Sequence, residues 1–349
     1  MTARENGKNP RCQHVALRVP NVALAAGFYR DAFGAVALAS GVIEREPAND
    51  RMFAGTDAER IKFAHLLLGG GTGIELFEFD PSRTVVAGDQ TRDRFMHLCL
   101  EVDEVASGLD RAEQAGGRRC FPIGAWPSGP YVFLRDPDGH LIELLEGSFD
   151  RLMRRVVHGE AGATSAPIDR AALHHIGIRV PDVRRAVSAY QEAFGATVHG
   201  FYSVPSELAE VLSEGPAGTS TEVAFLGFDG GVGCELFEFA HPVRPFRPAD
   251  QSNDAVMHIG FQAANLDRAG VEIVRSGGQP LDVSLTCGPP SIAQYLDAHG
   301  HPVELTTMEF SAYARWWPRA TVSSSNVTTS CYEGALPSPP RAKAGDRAS

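Results

Sequence analysis

Residues 14–35 read HVALRVPNVALAAGFYRDAFGA and residues 175–196 read HIGIRVPDVRRAVSAYQEAFGA, a gapless match with eleven of 22 positions identical. Other stretches return at nearly the same distance. GIELFEF at 73–79 comes back as GCELFEF at 233–239, MHLCLEV at 96–102 as MHIGFQA at 257–263, and RDPDGHLIEL at 135–144 as LDAHGHPVEL at 296–305. A period this long marks tandem domains, not a solenoid. A fainter echo lies inside each half, where His97 opens HLCLEVDEVASGLDRAEQAGGR and His258 opens HIGFQAANLDRAGVEIVRSGGQ. The chain therefore reads as four modules, each beginning on a histidine.

Each module has the same local grammar. From His14 to Val19, the residues Val15, Leu17 and Val19 share one face of a strand, the period of two. Pro20 ends that strand, and Asn21, like Asp182 in the second half, is placed to cap a helix. Ala25, Phe28, Tyr29, Ala32 and Phe33 recur at three-to-four spacing, giving one buried helical stripe. Gly34 and Gly195 stand where a left-handed C-terminal residue is wanted. The apolar runs Phe63–Leu68 and Ile74–Phe79, separated by Gly69-Gly70-Gly71, form a hairpin signal. The order is βαβββ.

These boundaries give a first domain at 12–147, a linker at 148–171 with a short helix over 149–157, a second domain at 172–317 and a disordered tail at 318–349. The tail is rich in Ser, Thr, Pro and Ala. A 349-residue chain with 43% hydrophobic residues is of globular composition for two domains. No apolar run approaches the ~20 residues of a membrane span, and the first residues lack the apolar core of a signal peptide. The expectation is a cytoplasmic protein with no membrane partner. A net charge of −11 repels phosphate backbones, so no nucleic-acid partner is expected. The six cysteines form no CxxC pair, which argues against a thiolate zinc site and a disulfide framework.

Four residues of chemical interest recur in both halves. His14, Glu75, His97 and Glu143 have twins 160 or 161 residues downstream in His175, Glu235, His258 and Glu304. Imidazole and carboxylate bind a divalent metal without a thiolate. The residue two after each histidine is small (Ala16, Cys99, Gly177, Gly260), leaving space over the imidazole for a ligand. Glu75 and Glu143 sit inside apolar strands, where an ionised carboxylate is costly unless it is paired or metal-bound. The bland alternative is that duplication alone preserved them as hydrogen-bonded core residues. Survival of all four in both copies, while half of the neighbouring helix diverged, favours two metal sites. Glu78 and Glu238 lie three residues on, face the other side of the strand, and read as solvent-facing or structural. His174 reads as pointing away from His175. His140 and His301 read as turn residues.

The motifs HVALRVPNV with FYRDAFG, GIELFEF, MHLCLEV and DPDGHLIEL resemble the vicinal oxygen chelate superfamily. That superfamily includes glyoxalase I, extradiol dioxygenases, methylmalonyl-CoA epimerase and bleomycin-resistance proteins. The resemblance covers residues 12–147 and 172–309. It implies an α+β fold of four βαβββ modules, paired into two cup-shaped mixed sheets, each cup enclosing a metal. The implied ligands are the eight residues above. The sequence leaves two pairings open. Either each half closes on itself, or His14 and Glu75 join His258 and Glu304 while His175 and Glu235 join His97 and Glu143.

A set of two His and two Glu is most similar to glyoxalase I, whereas extradiol enzymes use two His and one Glu. The resemblance thus implies a metal-dependent lyase or isomerase acting on a small molecule with adjacent oxygens. The metal (Fe, Mn, Ni, Co or Zn) stabilises an enediolate, and Glu75, Glu143, Glu235 or Glu304 shuttles the proton. No organic cofactor is implied, and a homodimer is compatible. The alternatives are an extradiol-type Fe(II) dioxygenase and a metabolite-sequestering resistance protein. Arg18 and Arg179 share the ligand face and are the candidate cations there. One half can also be active while the other serves as scaffold.

Overall fold

In the computed structural model, the described residues are 9–45, 58–80, 95–126, 129–149, 153, 170–204, 209, 220–239, 256–285 and 292–322. The first module comprises β1 (Arg11–Arg18), α1 (Val22–Phe33), β2 (Val36–Glu44), β3 (Arg60–Leu67) and β4 (Gly73–Asp80). The second comprises β5 (Phe95–Val102), α2 (Val105–Gln114), the short β6 (Arg118–Arg119) and β7 (Gly124–Trp126), β8 (Gly129–Arg135) and β9 (Leu141–Glu146). The third is β10 (Ala172–Arg179), α3 (Val183–Phe194), β11 (Thr197–Val204), β12 (Thr221–Gly227) and β13 (Gly233–Phe239). The fourth is β14 (Val256–Gln262), α4 (Leu266–Arg275), β15 (Gln279–Leu285), β16 (Ile292–Leu296) and β17 (Pro302–Thr306), followed by α5 (Phe310–Val322).

Local chemistry sets these elements as the sequence leads one to expect. Asn21 accepts from the Leu24 amide at 3.0 Å and Asp182 from the Arg185 amide at 2.9 Å, each capping its helix. Gly34 and Gly195 close the same helices in the left-handed region, at φ 70° and 66°. Glu78 and Glu238 prove structural. Each carboxylate accepts the first amide of a helix, Val22 N at 3.0 Å and Val183 N at 2.8 Å, where a negative charge also complements the helix dipole.

The modules assemble into two open mixed sheets. One runs β15-β16-β17-β14-β1-β4-β3-β2, the other β11-β12-β13-β10-β5-β9-β8-β6, with β7 pairing β8. At the centre of the first, β1 pairs β14 antiparallel; at the centre of the second, β10 pairs β5 antiparallel. Each sheet therefore takes one module from each half of the chain. The pairing left open by the sequence is decided across the halves: module one with module four, module two with module three.

What joins the sheets to each other is the helices. Buried residues of α1 to α4 and of the apolar strand faces form one continuous core, including Val15, Leu17, Phe28, Leu109, Ile178, Phe194 and Phe261. Two polar hubs reinforce it. Asp136 takes the Tyr29 hydroxyl at 3.1 Å and His140 Nδ1 at 2.8 Å, while His140 Nε2 lies 3.0 Å from the Arg18 carbonyl. Asp297, Tyr190, His301 and the Arg179 carbonyl repeat the arrangement. His140 and His301 are thus turn residues that also tie one sheet to the next. The second half's departure at Asp297-Ala-His-Gly leaves this hub intact.

Three expectations fall wholly or mostly outside the described residues: the linker helix over 149–157, the loop 203–221 and the tail. Helix α5 itself continues past Pro318 to Val322, so the first residues assigned to a disordered tail are helical. Among the described residues no helix is long and apolar enough to cross a membrane.

Candidate metal centres

The eight donors lie on eight adjacent strands, four in each sheet. β17, β14, β1 and β4 carry Glu304, His258, His14 and Glu75; β13, β10, β5 and β9 carry Glu235, His175, His97 and Glu143. Strand register explains why small residues are needed between them. Across the first sheet Glu304 is level with Gly260 and Gly260 with His14. Glu75 is level with Ala16, and Ala16 with His258. In the second sheet the rows are Glu235–Gly177–His97 and Glu143–Cys99–His175. Every row is a carboxylate and an imidazole with a small side chain between them.

The gap over each of the two glycines is filled by the partner strand's imidazole. A Cβ at Gly260 would come within 1.8 Å of the His14 ring, and one at Gly177 within 2.3 Å of the His97 ring. The expectation that these positions open a substrate space is corrected: they let donors from different strands meet. Gly177→Ala should therefore displace His97, cost about 1–3 kcal/mol of stability by overpacking, and remove metal from that centre alone. Denaturant melts and metal stoichiometry on the variant check both parts.

The second centre is the tighter. His97 Nε2 and His175 Nε2 are 3.0 Å apart. Glu143 Oε2 lies 3.4 and 3.2 Å from them, and Glu235 Oε2 3.6 and 3.4 Å. All four donors fit one coordination sphere. In the first centre His14 Nε2 and His258 Nε2 are 3.3 Å apart. Glu75 Oε2 is 3.6 and 3.1 Å from the two rings, and Glu304 3.6 and 3.8 Å. The donor atoms of His14, His258 and Glu304 fall within one sphere there, and Glu75 approaches both rings beside them.

These atoms fit a cation. Two Nε2 atoms that face each other can share at most one proton. Glu75 Oε1 and Oε2, Glu143 Oε2 and Glu304 Oε1 are buried without a hydrogen bond of good geometry among the described residues. Buried carboxylates in that condition are costly unless an ion compensates them. The donor set, imidazole nitrogen with carboxylate oxygen, suits the first-row divalent metals.

The surroundings of the two centres differ sharply, and sequence reading missed this. Beside Glu75 on the neighbouring strand stands His65, with Nε2 3.2 Å from Glu75 Oε1. The position beside Glu235 holds Phe225. Beside Glu304 stands Gln294, whose amide donates to Glu304 Oε2 at 3.3 Å; beside Glu143 stands Phe133. Helix α5 adds Tyr313, fully buried, its ring stacked 5.5 Å from His14 and its hydroxyl facing Glu75 and Glu304. The second centre is walled instead by Phe133 and Phe237, with ring centroids 5.4 and 5.8 Å from His97. The signal was available: the repeat offset sets His65 against Phe225 and Gln294 against Phe133.

The electrostatics follow these walls. Burial pushes the Glu75 carboxyl up and the Glu304 carboxyl up to about 7, and burial drives His14 and His258 down. Burial also acts on Glu143, but the His175 and His97 imidazoles outweigh it and hold this carboxyl down to about 2. Burial lowers His175 too, yet Cys99 and Glu235 beside it leave it well above the ordinary imidazole range.

His174 is the other correction. It does not point away from His175: the two Nδ1 atoms are 2.7 Å apart and both rings are buried. The register between β10 and β5 slips between Leu173 and His175, which breaks the strict alternation. The contact fixes the His175 ring so that Nε2 faces the other donors, the usual work of a partner behind a ligating histidine. Arg18 and Arg179 are buried, with guanidinium groups 5.0 Å over Phe79 and 6.0 Å over Phe239.

Comparisons with known proteins agree with this architecture. Residues 11–144 and 174–288 each match a family described as the glyoxalase/bleomycin resistance protein/dioxygenase superfamily. The Arabidopsis thaliana protein named "Probable lactoylglutathione lyase, chloroplastic" is 28% identical over 187 residues, covering 53% of this chain and 44% of its own length. The chain thus spans less than half the length of that relative. An ethylmalonyl-CoA/methylmalonyl-CoA epimerase of Cereibacter sphaeroides is 30% identical over 142 residues, covering 38% of this chain and 96% of its own. The crystal structure of glyoxalase I from Zea mays superposes with a TM-score of 0.60 at 18% identity, covering 87% of this chain and 95% of the other.

Proposed function

This chain belongs to the glyoxalase/bleomycin resistance protein/dioxygenase superfamily, and from that premise we propose that it is a divalent-metal-dependent lyase or isomerase. It moves a proton within a small molecule bearing adjacent oxygens, and His97, Glu143, His175 and Glu235 form its catalytic centre. One observation carries the choice of centre. The Glu143 and Glu235 carboxylates meet imidazoles and aromatic walls, whereas Glu75 and Glu304 are each engaged by further polar side chains. A carboxylate that must take up and release a proton has to be free to do so.

The metal, of the class Fe, Mn, Ni, Co or Zn, would supply Lewis-acid polarisation of the substrate's adjacent oxygens. His97 and His175 would hold it from neighbouring strands, and Glu143, gripped by both imidazoles, would be its fixed carboxylate. Glu235 has the most exposed side chain of the eight, at 11%. In this reading it takes a proton from the carbon beside a carbonyl and returns it to the neighbouring carbon, or to the other face of the same one. Phe133, Phe225 and Phe237 exclude water, which strengthens each electrostatic contact in the cup. The lyase and the epimerase among the relatives support proton transfer in preference to oxygen chemistry.

Metal analysis of the purified chain should return about two equivalents, falling to about one in His175→Ala. A hemithioacetal of methylglyoxal, and other α-hydroxycarbonyl compounds, should be turned over only by metal-loaded protein. Absence of turnover, with oxygen consumed on adding Fe(II) and a catechol, would sink the isomerase reading in favour of a dioxygenase. Tight binding of an aromatic metabolite by metal-free protein, without turnover of any kind, would favour the sequestering protein.

A further inference from the structure

Helix α5 places a side-chain oxygen against the donors of the first centre. Phe310, Tyr313 and Trp317 recur at helical spacing and are buried in the cup of the first sheet with Phe63, Phe77 and Ile61. Phe310 sits over Gly73, where a Cβ would come within 1.9 Å of its ring. This seats the start of the helix directly above the row that carries His14. Tyr313 then stacks on both His14 and His65, with centroids 5.5 and 5.7 Å away. Its hydroxyl is buried, faces Glu75 and Glu304, and has no hydrogen bond of good geometry among the described residues.

A buried hydroxyl that faces two carboxylates has a single proton for the pair. Here it is aimed into a set of nitrogen and oxygen donors. In the first half Phe149 lies over Gly233 as Phe310 lies over Gly73. By the same offset, however, the residue matching Tyr313 is Leu152, which has no oxygen to offer. His65 and Gln294 complete the polar ring of the first centre, where the second has Phe225 and Phe133.

We propose that Tyr313 is an additional oxygen donor of the His14–Glu75–His258–Glu304 centre, standing in the substrate's place, so that this centre holds its ion closed to substrate and exchangeable water. The duplication has then produced two centres with different roles: a self-completed structural one in the first sheet and an open catalytic one in the second.

Water exchange tests this without an activity assay. Mn(II) is loaded into two full-length variants, His97→Ala/His175→Ala, which keeps only the first centre, and His14→Ala/His258→Ala, which keeps only the second. Water-proton relaxation is measured on each at one bound Mn(II) per chain. The first-centre variant should bind Mn(II) and enhance relaxation severalfold less than the second-centre variant. Adding Tyr313→Ala to the first-centre variant should raise its enhancement toward that of the second centre.

Equal enhancement in the two parent variants would overturn the proposal, as would no Mn(II) binding when only the first centre remains. An unchanged value on adding Tyr313→Ala to a chain that keeps its circular dichroism spectrum would overturn it too. Should Tyr313→Ala not fold, the comparison of the two parents decides alone. Catalysis by the second centre is read separately, from loss of turnover in the His97→Ala/His175→Ala chain relative to the wild type, so its failure is distinguishable from failure of the closed centre.

Discussion

Glu235→Gln is expected to keep its metal and lose turnover by about 10²–10⁴-fold, the range for removing a general acid-base group. Glutamine preserves the shape of the side chain and a carbonyl oxygen for the ion but cannot carry a proton at neutral pH. The expected signature is a fall in kcat larger than any change in KM, with metal content held by His97, Glu143 and His175. Glu143→Gln should behave differently. Both imidazoles sit within 3.4 Å of the Glu143 oxygen and hold that carboxyl down to about 2, so under the proposed function its charge would retain the ion. Loss of metal should therefore precede loss of chemistry in that variant. Should Glu235→Gln lose metal while Glu143→Gln keeps it and stops turning over, the two roles are exchanged. If both retain full turnover, the second centre is not catalytic.

The largest effect on stability is expected at Asp297, which belongs to neither donor set. Its Oδ1 accepts from the amides of His299 and His301, both at 2.8 Å, and its Oδ2 from the Tyr190 hydroxyl and His301 Nδ1, also at 2.8 Å. Asp297→Ala strands all four donors in a buried site. Removing one partner of a buried charged network costs about 3–5 kcal/mol, and a urea melt of the variant measures it.

The pH dependence has a definite sign. Burial acts to raise the Asp297 carboxyl, but the contacts from His301 outweigh it and hold the group down to about 2, below the ~3.9 of a free aspartate. A folded value depressed in this way contributes stability that is fully present above the unfolded value. That contribution is lost as pH falls through the folded one. The wild-type midpoint should therefore drop between about pH 4 and pH 2, and the Asp297→Ala midpoint should drop less. A loss under about 1 kcal/mol in urea would reduce the hub to an ordinary turn.

Much of this molecule was legible in its amino acids, for a physical reason. Duplication writes the same module twice, so the strand alternation after His14 and the caps at Asn21, Gly34, Asp182 and Gly195 each carry an internal check. All of these depend on neighbours within a few residues. The clustering of the eight side chains was legible on the same basis: imidazole and carboxylate standing in apolar strands have few ways to be stable, and here they recur in register.

The partnership between modules was decided only by the tertiary structure. Alternation tells which face His14 occupies, but not which strand hydrogen-bonds to β1. The antiparallel edge of β14, more than 240 residues away by its own contact between His14 and His258, supplies that answer. The roles of Gly177 and Gly260 were likewise invisible, because the group each must accommodate belongs to another strand. The repeat offset sets His65, Gln294 and Tyr313 apart from Phe225, Phe133 and Leu152 without saying what they touch. Their meaning lies in what they face, and a chain states its side chains in order without stating which of them will meet.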